Sequence, residues 1–521
     1  MMKKSFKFLA IAMGLCVAIS SYAAKKPNII FILADDMGYG DVSILNPEGK
    51  IPTPTLDKMA TDGMIFTDAH TSSSVCTPSR YGILTGRYNW RSTLKGGVLS
   101  GYSKALIPQD RTTMASMLKA SGYNTALIGK WHLGWDWAMQ GNLDGANLNS
   151  LNSKKHKDIN VDFSKPVTNS PKDKGFDYYY AICGSLDMPP YVYVENDMPT
   201  DTSNDMQQTK GGRAGPIASD LVLDQVVGNF IDRSCKYIKE QAKGNKPFFL
   251  YLPLTGPHTP IVPTKKFTGK SSLGSKYADF VIQIDKQLAS IFKTLEDEGI
   301  SDNTIVVFTA DNGCSPAANI NALLKKGHSP NADLRGNKAD LYDGGHRVPC
   351  LVQWGNGIKK GSVANQTVCL TDFFATFADI AGYKLKDSEG EDSFDLISIF
   401  NNANAPQVRE STIHHSIDGD FAIRMGDWKL LVSASSSGWS YPHPTKDKAD
   451  VAKLPSLQLY NMKDDKSEKT NLIAQHPEKA KEMLAQLRKE IEDGRSTAGA
   501  KQTNDVNGTW KQLEKVNKDY F

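Results

Sequence analysis

The chain has 521 residues, 40% of them hydrophobic, which allows a large core and excludes a single small module. Its 61 basic and 57 acidic side chains almost balance, more closely still without Lys3, Lys4 and Lys7, so the polybasic tract that nucleic-acid binding requires is missing. Seven cysteines, at 16, 76, 183, 235, 314, 350 and 369, form neither a CxxC metal pair nor a compact disulfide framework.

In chain order, residues 1–23 read as a signal peptide: Lys3, Lys4 and Lys7, then apolar Phe8 to Ile19, then small residues up to Ala23 and Ala24. This predicts export to a periplasm, ahead of secretion or a surface lipoprotein through Cys16, where Leu15 occupies a position that wants a small residue. No later stretch is long and apolar enough for a membrane span. Four apolar, β-branched runs then end abruptly in polar residues: Asn28 to Ala34 into Asp35-Asp36, Tyr123 to Gly129 into Lys130-Trp131-His132, Lys246 to Leu252 into Gly256-Pro257-His258, and Thr304 to Ala310 into Asp311-Asn312. Such runs suit strands buried on both faces. Helical patterns at Thr113–Ser121, Ile217–Lys243 and Lys276–Glu298 alternate with them, which predicts an α/β, doubly wound, mostly parallel sheet flanked by helices over 24–400. Polar stretches at 141–174 and 199–215 read as surface insertions. From 401 to 521 the pattern predicts a smaller subdomain, with a hairpin at 420–432, a strand at 457–461 and a helix at 477–493.

In doubly wound sheets the ligand site lies beyond the strands' carboxyl ends, so Asp35, Asp36, Lys130, His132, His258, Asp311 and Asn312 are expected at one edge. Three carboxylates and an amide oxygen together repel one another unless a cation joins them, and an all-oxygen set suits Ca²⁺ or Mg²⁺, with Ca²⁺ better matched to many protein ligands. Each motif also has a plain structural reading: aspartates cap turns, Lys130 snorkels, and Lys338 and His346 sit in a solvated loop. Cys76 is placed at a helix start by Pro78, as either a thiolate nucleophile or an inert buried residue. A thiolate is a poor match for a hard cation.

The run Cys76-Thr77-Pro78-Ser79-Arg80 with Thr85-Gly86-Arg87 resembles the sulfatase signature, and Gly129-Lys130-Trp131-His132-Leu133-Gly134 resembles its second signature. Family features extend from Pro27 to about Gln475, on an alkaline phosphatase-like scaffold. The resemblance implies that a maturation enzyme oxidises Cys76 to Cα-formylglycine, whose hydrate attacks sulfur. Asp35, Asp36, Asp311, Asn312 and the modified residue 76 would hold Ca²⁺, Arg80 would support the hydrate, and Lys130 and Lys338 would hold sulfate oxygens. His258 or Lys338 would protonate the leaving alcohol, and His132 would take the proton that lets a covalent sulfate ester on residue 76 collapse. Asp343 stands where many relatives have Glu, and Ser185 aligns loosely with a sulfate-contacting serine.

The expected substrate is a sulfated carbohydrate, a galactose or N-acetylgalactosamine desulfated from the non-reducing end, with Trp90, Arg91, Asp187, His414 and His415 as candidate sugar contacts. A phosphoester or phosphonate hydrolase on the same scaffold is the alternative enzyme, though two-metal phosphatases want more histidines. A glycan-binding pseudoenzyme is disfavoured because every mapped catalytic position is filled.

Overall fold

The computed structural model describes residues 25–141, 147–148, 160–201, 205–207, 212–506 and 508–521. The leader at 1–23 with Cys16, and parts of the insertions at 141–174 and 199–215, lie outside the described residues. Among the described residues no helix is long and apolar enough to cross a membrane, and the six cysteines are unpaired.

Ten strands make one sheet: β1 (Asn28–Asp35), β2 (Met64–Phe66), β3 (Asn124–Lys130), β4 (Tyr178–Ile182), β5 (Val194–Glu195), β6 (Met198–Pro199), β7 (Phe248–Pro257), β8 (Thr304–Ala310), β9 (Cys350–Gln353) and β10 (Ser362–Ala364). Their spatial order is β10-β2-β9-β8-β1-β7-β3-β4-β5-β6. The run from β8 through β1, β7 and β3 to β4 is parallel, and every residue of β1, β7 and β8 is buried. These are three of the four continuous apolar runs, and they need helices on both faces because no polar face is left for water.

Helices α1 (Cys76–Thr85), α2 (Met114–Ala120), α3 (Val226–Ala242), α4 (Lys276–Asp297) and α5 (Asp372–Ala381) supply that cover. α3 and α4 pack on each other and on β7, and α2 packs on β3 and α5. Phe373 and Phe377 of α5 stand edge-on to Phe31 of β1, with centroids at 5.4 and 6.4 Å. α3 begins nine residues later than the expected Ile217, because Gly215–Ile217 pairs as a short strand with Asp205–Gln207 and the chain then makes a 3₁₀ turn at Leu223–Gln225 before the helix.

A second core lies toward the C-terminus. Strands β11 (Ser411–His415), β12 (Phe421–Met425), β13 (Trp428–Leu431) and β14 (Gln458–Asn461) form an antiparallel sheet in that order, against α6 (Pro477–Asp493). Its apolar side chains, among them Ile413, Ile423, Leu430, Leu459, Met483 and Leu487, enclose Tyr88 and Trp90 from the first part of the chain. β11 escapes a reading of sequence because Ser-Thr-Ile-His-His contains one aliphatic residue; its partners in β12 create it.

Candidate active site

Register explains the convergence of the acidic strand ends. Ala34 of β1 lies opposite Ala310 of β8, so the next residues, Asp35 and Asp311, leave the sheet side by side, and Asp35 lies opposite Pro257, just before His258. Lys130, at the end of β3, donates to Asp35 Oδ2 at 2.6 Å. Arg80 donates through Nη2 and Nε to Asp311 Oδ2 at 2.6 and 3.1 Å and through Nη1 to the Lys130 carbonyl. Lys338 Nζ is 2.6 Å from Asp36 Oδ1, which also accepts from Asn312 Nδ2 at 2.8 Å. Asp36 adopts a left-handed backbone, φ 64°, a conformation tolerated by Asp and Asn, and its N–H reaches Asp311 Oδ1.

Cys76 is the first residue of α1, and Val75 before it is extended. Pro78 falls in the first turn, where its missing N–H costs nothing, and Gly86 ends the helix at φ 62°. The whole of α1 is buried. Burial pushes the Cys76 thiol up, against Lys130 and Lys338, which pull it down, so a thiolate is not the resting form. His132 is held well below the usual histidine range by burial first and then by Lys130 and Arg80. Its Nε2 lies 2.9 Å from the Leu99 carbonyl, which can only accept, so Nε2 carries the hydrogen; Nδ1 is buried with no hydrogen-bond partner and is free to take a proton. His258 is oriented the same way: Nδ1 lies 2.7 Å from the Thr259 carbonyl, and Nε2 faces Asp36 Oδ2 at 3.7 Å.

The residues fit an oxygen-bound divalent cation. Asp35 Oδ1 and Asn312 Oδ1 are buried without a partner. Burial, and Asp35 beside it, raise Asp311 despite Arg80 and Lys130. Asp35, which burial alone would raise, is held well below the usual carboxylate range by Lys130, His258, Arg80 and Lys338. Three carboxylates face three cationic side chains, so a bound cation's charge is left over for an anionic substrate.

The sequence profile of the sulfatase family matches residues 27–383. The chain belongs to the sulfatase family. It is a sulfuric ester hydrolase, 31% identical over 500 residues to an N-acetylgalactosamine-6-O-sulfatase of Bacteroides thetaiotaomicron, covering 88% of this chain and 92% of that one. It is 29% identical over 481 residues to human arylsulfatase A, covering 89% and 86%. A solved structure from work on the metabolism of multiple glycosaminoglycans by Bacteroides thetaiotaomicron superposes with a TM-score of 0.76 at 29% identity, covering 89% and 99%.

Of the expected sugar contacts of this sulfatase, all but Asp187 are buried. Trp90 is buried in the second core, stacked on Tyr88 and edge-on to Phe421. Arg91 is 0% exposed, paired through two nitrogens with Asp392 at 2.7 and 2.8 Å and lying over the Trp90 ring at 4.1 Å. Trp90 is thus packed into the second core, and Arg91 is engaged by Asp392. His414 is buried against His346 and His70, stacked on His346 at 4.0 Å, and burial holds both His414 and His346 well below the usual range. His415 is also buried; its backbone N–H and carbonyl, and not its ring, meet Ser72 and Ser74 next to the nucleophile segment. His132 N–H donates to the carbonyl of Cys183, two residues before Ser185, at 2.8 Å, and the buried Ser185 hydroxyl has no partner. Asp187 has one partner-free carboxylate oxygen, and its carbonyl is held by Arg213.

Asp343 touches none of the acidic strand ends. It pairs with Lys429 of β13, 2.7 Å away, and Lys429 also holds Glu468, tying the site loop to the C-terminal sheet. The sequence offered no sign of the brace behind Asp36: Tyr277 of α4 donates to the Asp36 carbonyl at 3.1 Å and to Asp41, which also meets His328. These partners are separated by hundreds of residues, and only the fold brings them together.

Proposed function

We propose that this sulfatase removes the 6-O-sulfate from an N-acetylgalactosamine or galactose residue at the non-reducing end of a sulfated glycan, after oxidation of Cys76 to Cα-formylglycine by a maturation enzyme. The observation that carries the reading is the convergence of Cys76, Lys130, Lys338, His132 and His258 around the acidic strand ends. The similarity to the N-acetylgalactosamine-6-O-sulfatase supports the sugar and the position. Because Cys76 to Arg80 are buried in the folded chain, oxidation has to precede folding.

Asp35, Asp36, Asp311 and Asn312 would hold Ca²⁺, which supplies positive charge to the sulfate group and to the oxygen on residue 76. The chain's own residues do the remainder. Lys130 and Lys338 offer fixed charge to the sulfate oxygens from inside the protein, where water cannot screen it. His258 Nε2 faces the site and, with its ring doubly protonated opposite Asp36, would protonate the departing sugar oxygen, while His132 Nδ1 would accept the proton from residue 76 that lets sulfate leave. Arg80, fixed by Asp311 and the Lys130 carbonyl, holds the start of α1 in register with these groups. We also propose export to a periplasm, supported by the basic, apolar and small-residue order of the leader.

The test is sulfate release from galactose and N-acetylgalactosamine derivatives sulfated at single positions, after peptide mass has shown conversion of residue 76. Release is expected from the 6-sulfate, and loss of it in Cys76→Ala. Full activity in the alanine variant would remove the basis of the mechanism; preference for another position would overturn the assigned ester.

A further inference from the structure

The C-terminal part sends one turn, Ser435 to Pro442, directly over the loop that carries Lys338. Gly438 lies so close that a Cβ there would meet the Ala339 carbonyl at 2.4 Å, so only glycine permits the approach. Asp340 Oδ1 accepts from the backbone N–H of Trp439 at 2.7 Å and of Ser440 at 3.0 Å, and Leu341 N–H donates to the Ser436 carbonyl at 2.9 Å. On its other side the same loop reaches the nucleophile segment: Ala339 N–H donates to the Ser74 carbonyl at 2.8 Å, two residues before Cys76. The turn is also closed on itself, Ser436 N–H to the Pro442 carbonyl at 2.9 Å and Ser436 Oγ to the Ser440 carbonyl at 2.8 Å, while Ser437 Oγ bonds Asp420.

This fixed backbone carries two aromatic rings into solvent. Trp439 is 42% exposed and Tyr441 64%. Trp and Tyr join an apolar ring to a polar edge and are enriched at binding surfaces for that reason, and a backbone ordered beforehand lowers the entropy lost on binding. Flat aromatic faces suit the C–H faces of a pyranose ring, and the Trp and Tyr polar edges suit its hydroxyls.

We propose that Trp439, with Tyr441 two residues on in the same turn, is the stacking platform for a sugar ring of the glycan adjoining the sulfated residue, so that the C-terminal part selects a chain over a free monosaccharide. This rests on the sulfated-glycan reading above. Nothing in the platform touches the reacting atoms; it is a specificity residue acting on a neighbouring sugar.

The experiment compares kcat/KM for a 6-sulfated N-acetylgalactosamine-terminated tetrasaccharide with that for the 6-sulfated monosaccharide. Trp439→Ala is expected to lower the ratio of the two about tenfold, mainly through the tetrasaccharide KM, and Trp439→Phe to restore most of it. An unchanged ratio, or an equal fall for both substrates, would overturn the platform. If the wild-type protein releases no sulfate from either compound, the glycan reading fails by itself. Calorimetric binding of the tetrasaccharide to the Cys76→Ala protein, with and without Trp439→Ala, then decides the platform: weakened binding in the double variant supports it, and equal binding or none refutes it.

Discussion

Arg91 separates a surface role from a buried one. Its guanidinium is wholly buried, meets both Asp392 oxygens, donates to the Glu490 carbonyl at 3.1 Å and lies on Trp90. Replacing it with alanine leaves Asp392 charged and buried without its principal partner, and removing one member of such a pair costs about 3–5 kcal/mol. At roughly 2.1 cal/mol/K of unfolding entropy per residue, a cooperative unit of this size shifts by about 1 °C per kcal/mol, so the Tm should fall by about 3–5 °C. A double variant, Arg91→Met with Asp392→Leu, removes both charges and should recover much of the loss. The assay is calorimetric unfolding of the three variants beside wild type, with KM for a sulfated saccharide measured well below each Tm. A raised KM with an unchanged Tm would refute the buried-pair argument and return Arg91 to the substrate.

The buried His415 is held down to about 4 by burial, against about 6.5 in an unfolded chain. Between these values the folded state binds fewer protons than the unfolded state, so stability present above pH 6.5 is lost as pH falls, by about 2 kcal/mol from this residue by pH 5. Urea midpoints should therefore drop less from pH 7 to pH 5 in His415→Gln than in wild type, and equal drops would count against it. Gly313→Ala places a Cβ 1.8 Å from the Gly344 carbonyl, which must push Asn312 and the Lys338 loop apart. Its activity should fall well below that of a variant at the open Gly299, where no atom lies within 4 Å and only the backbone, at φ 65°, is strained. Chelation of Ca²⁺ should lower both activity and Tm, because an ion held by the folded chain and not by the unfolded one stabilises the fold by mass action, with recovery on adding Ca²⁺ back; a chelator without effect on either would argue against a cation at Asp35, Asp36, Asp311 and Asn312.

Sequence alone determined the parallel core, because runs such as Ile29 to Leu33 and Ile305 to Phe308 have no polar face and can settle only between two layers of helices. It also determined the carboxyl edge as the place of chemistry, since each run ends in charged or polar residues, and the spacing from Cys76 to Arg87 carried the family resemblance. Only the tertiary structure decided which of the remaining residues are buried, and against what. Trp90, Arg91 and His414 look like surface contacts in one dimension, but burial depends on what packs against a residue. Their partners, Asp392, Phe421 and His346, lie far along the chain. The reverse holds for Trp439, an ordinary aromatic in a serine-rich stretch until Gly438 lets its turn approach Ala339. Periodicity reports local faces, whereas exposure is settled by long-range contacts that no local pattern encodes.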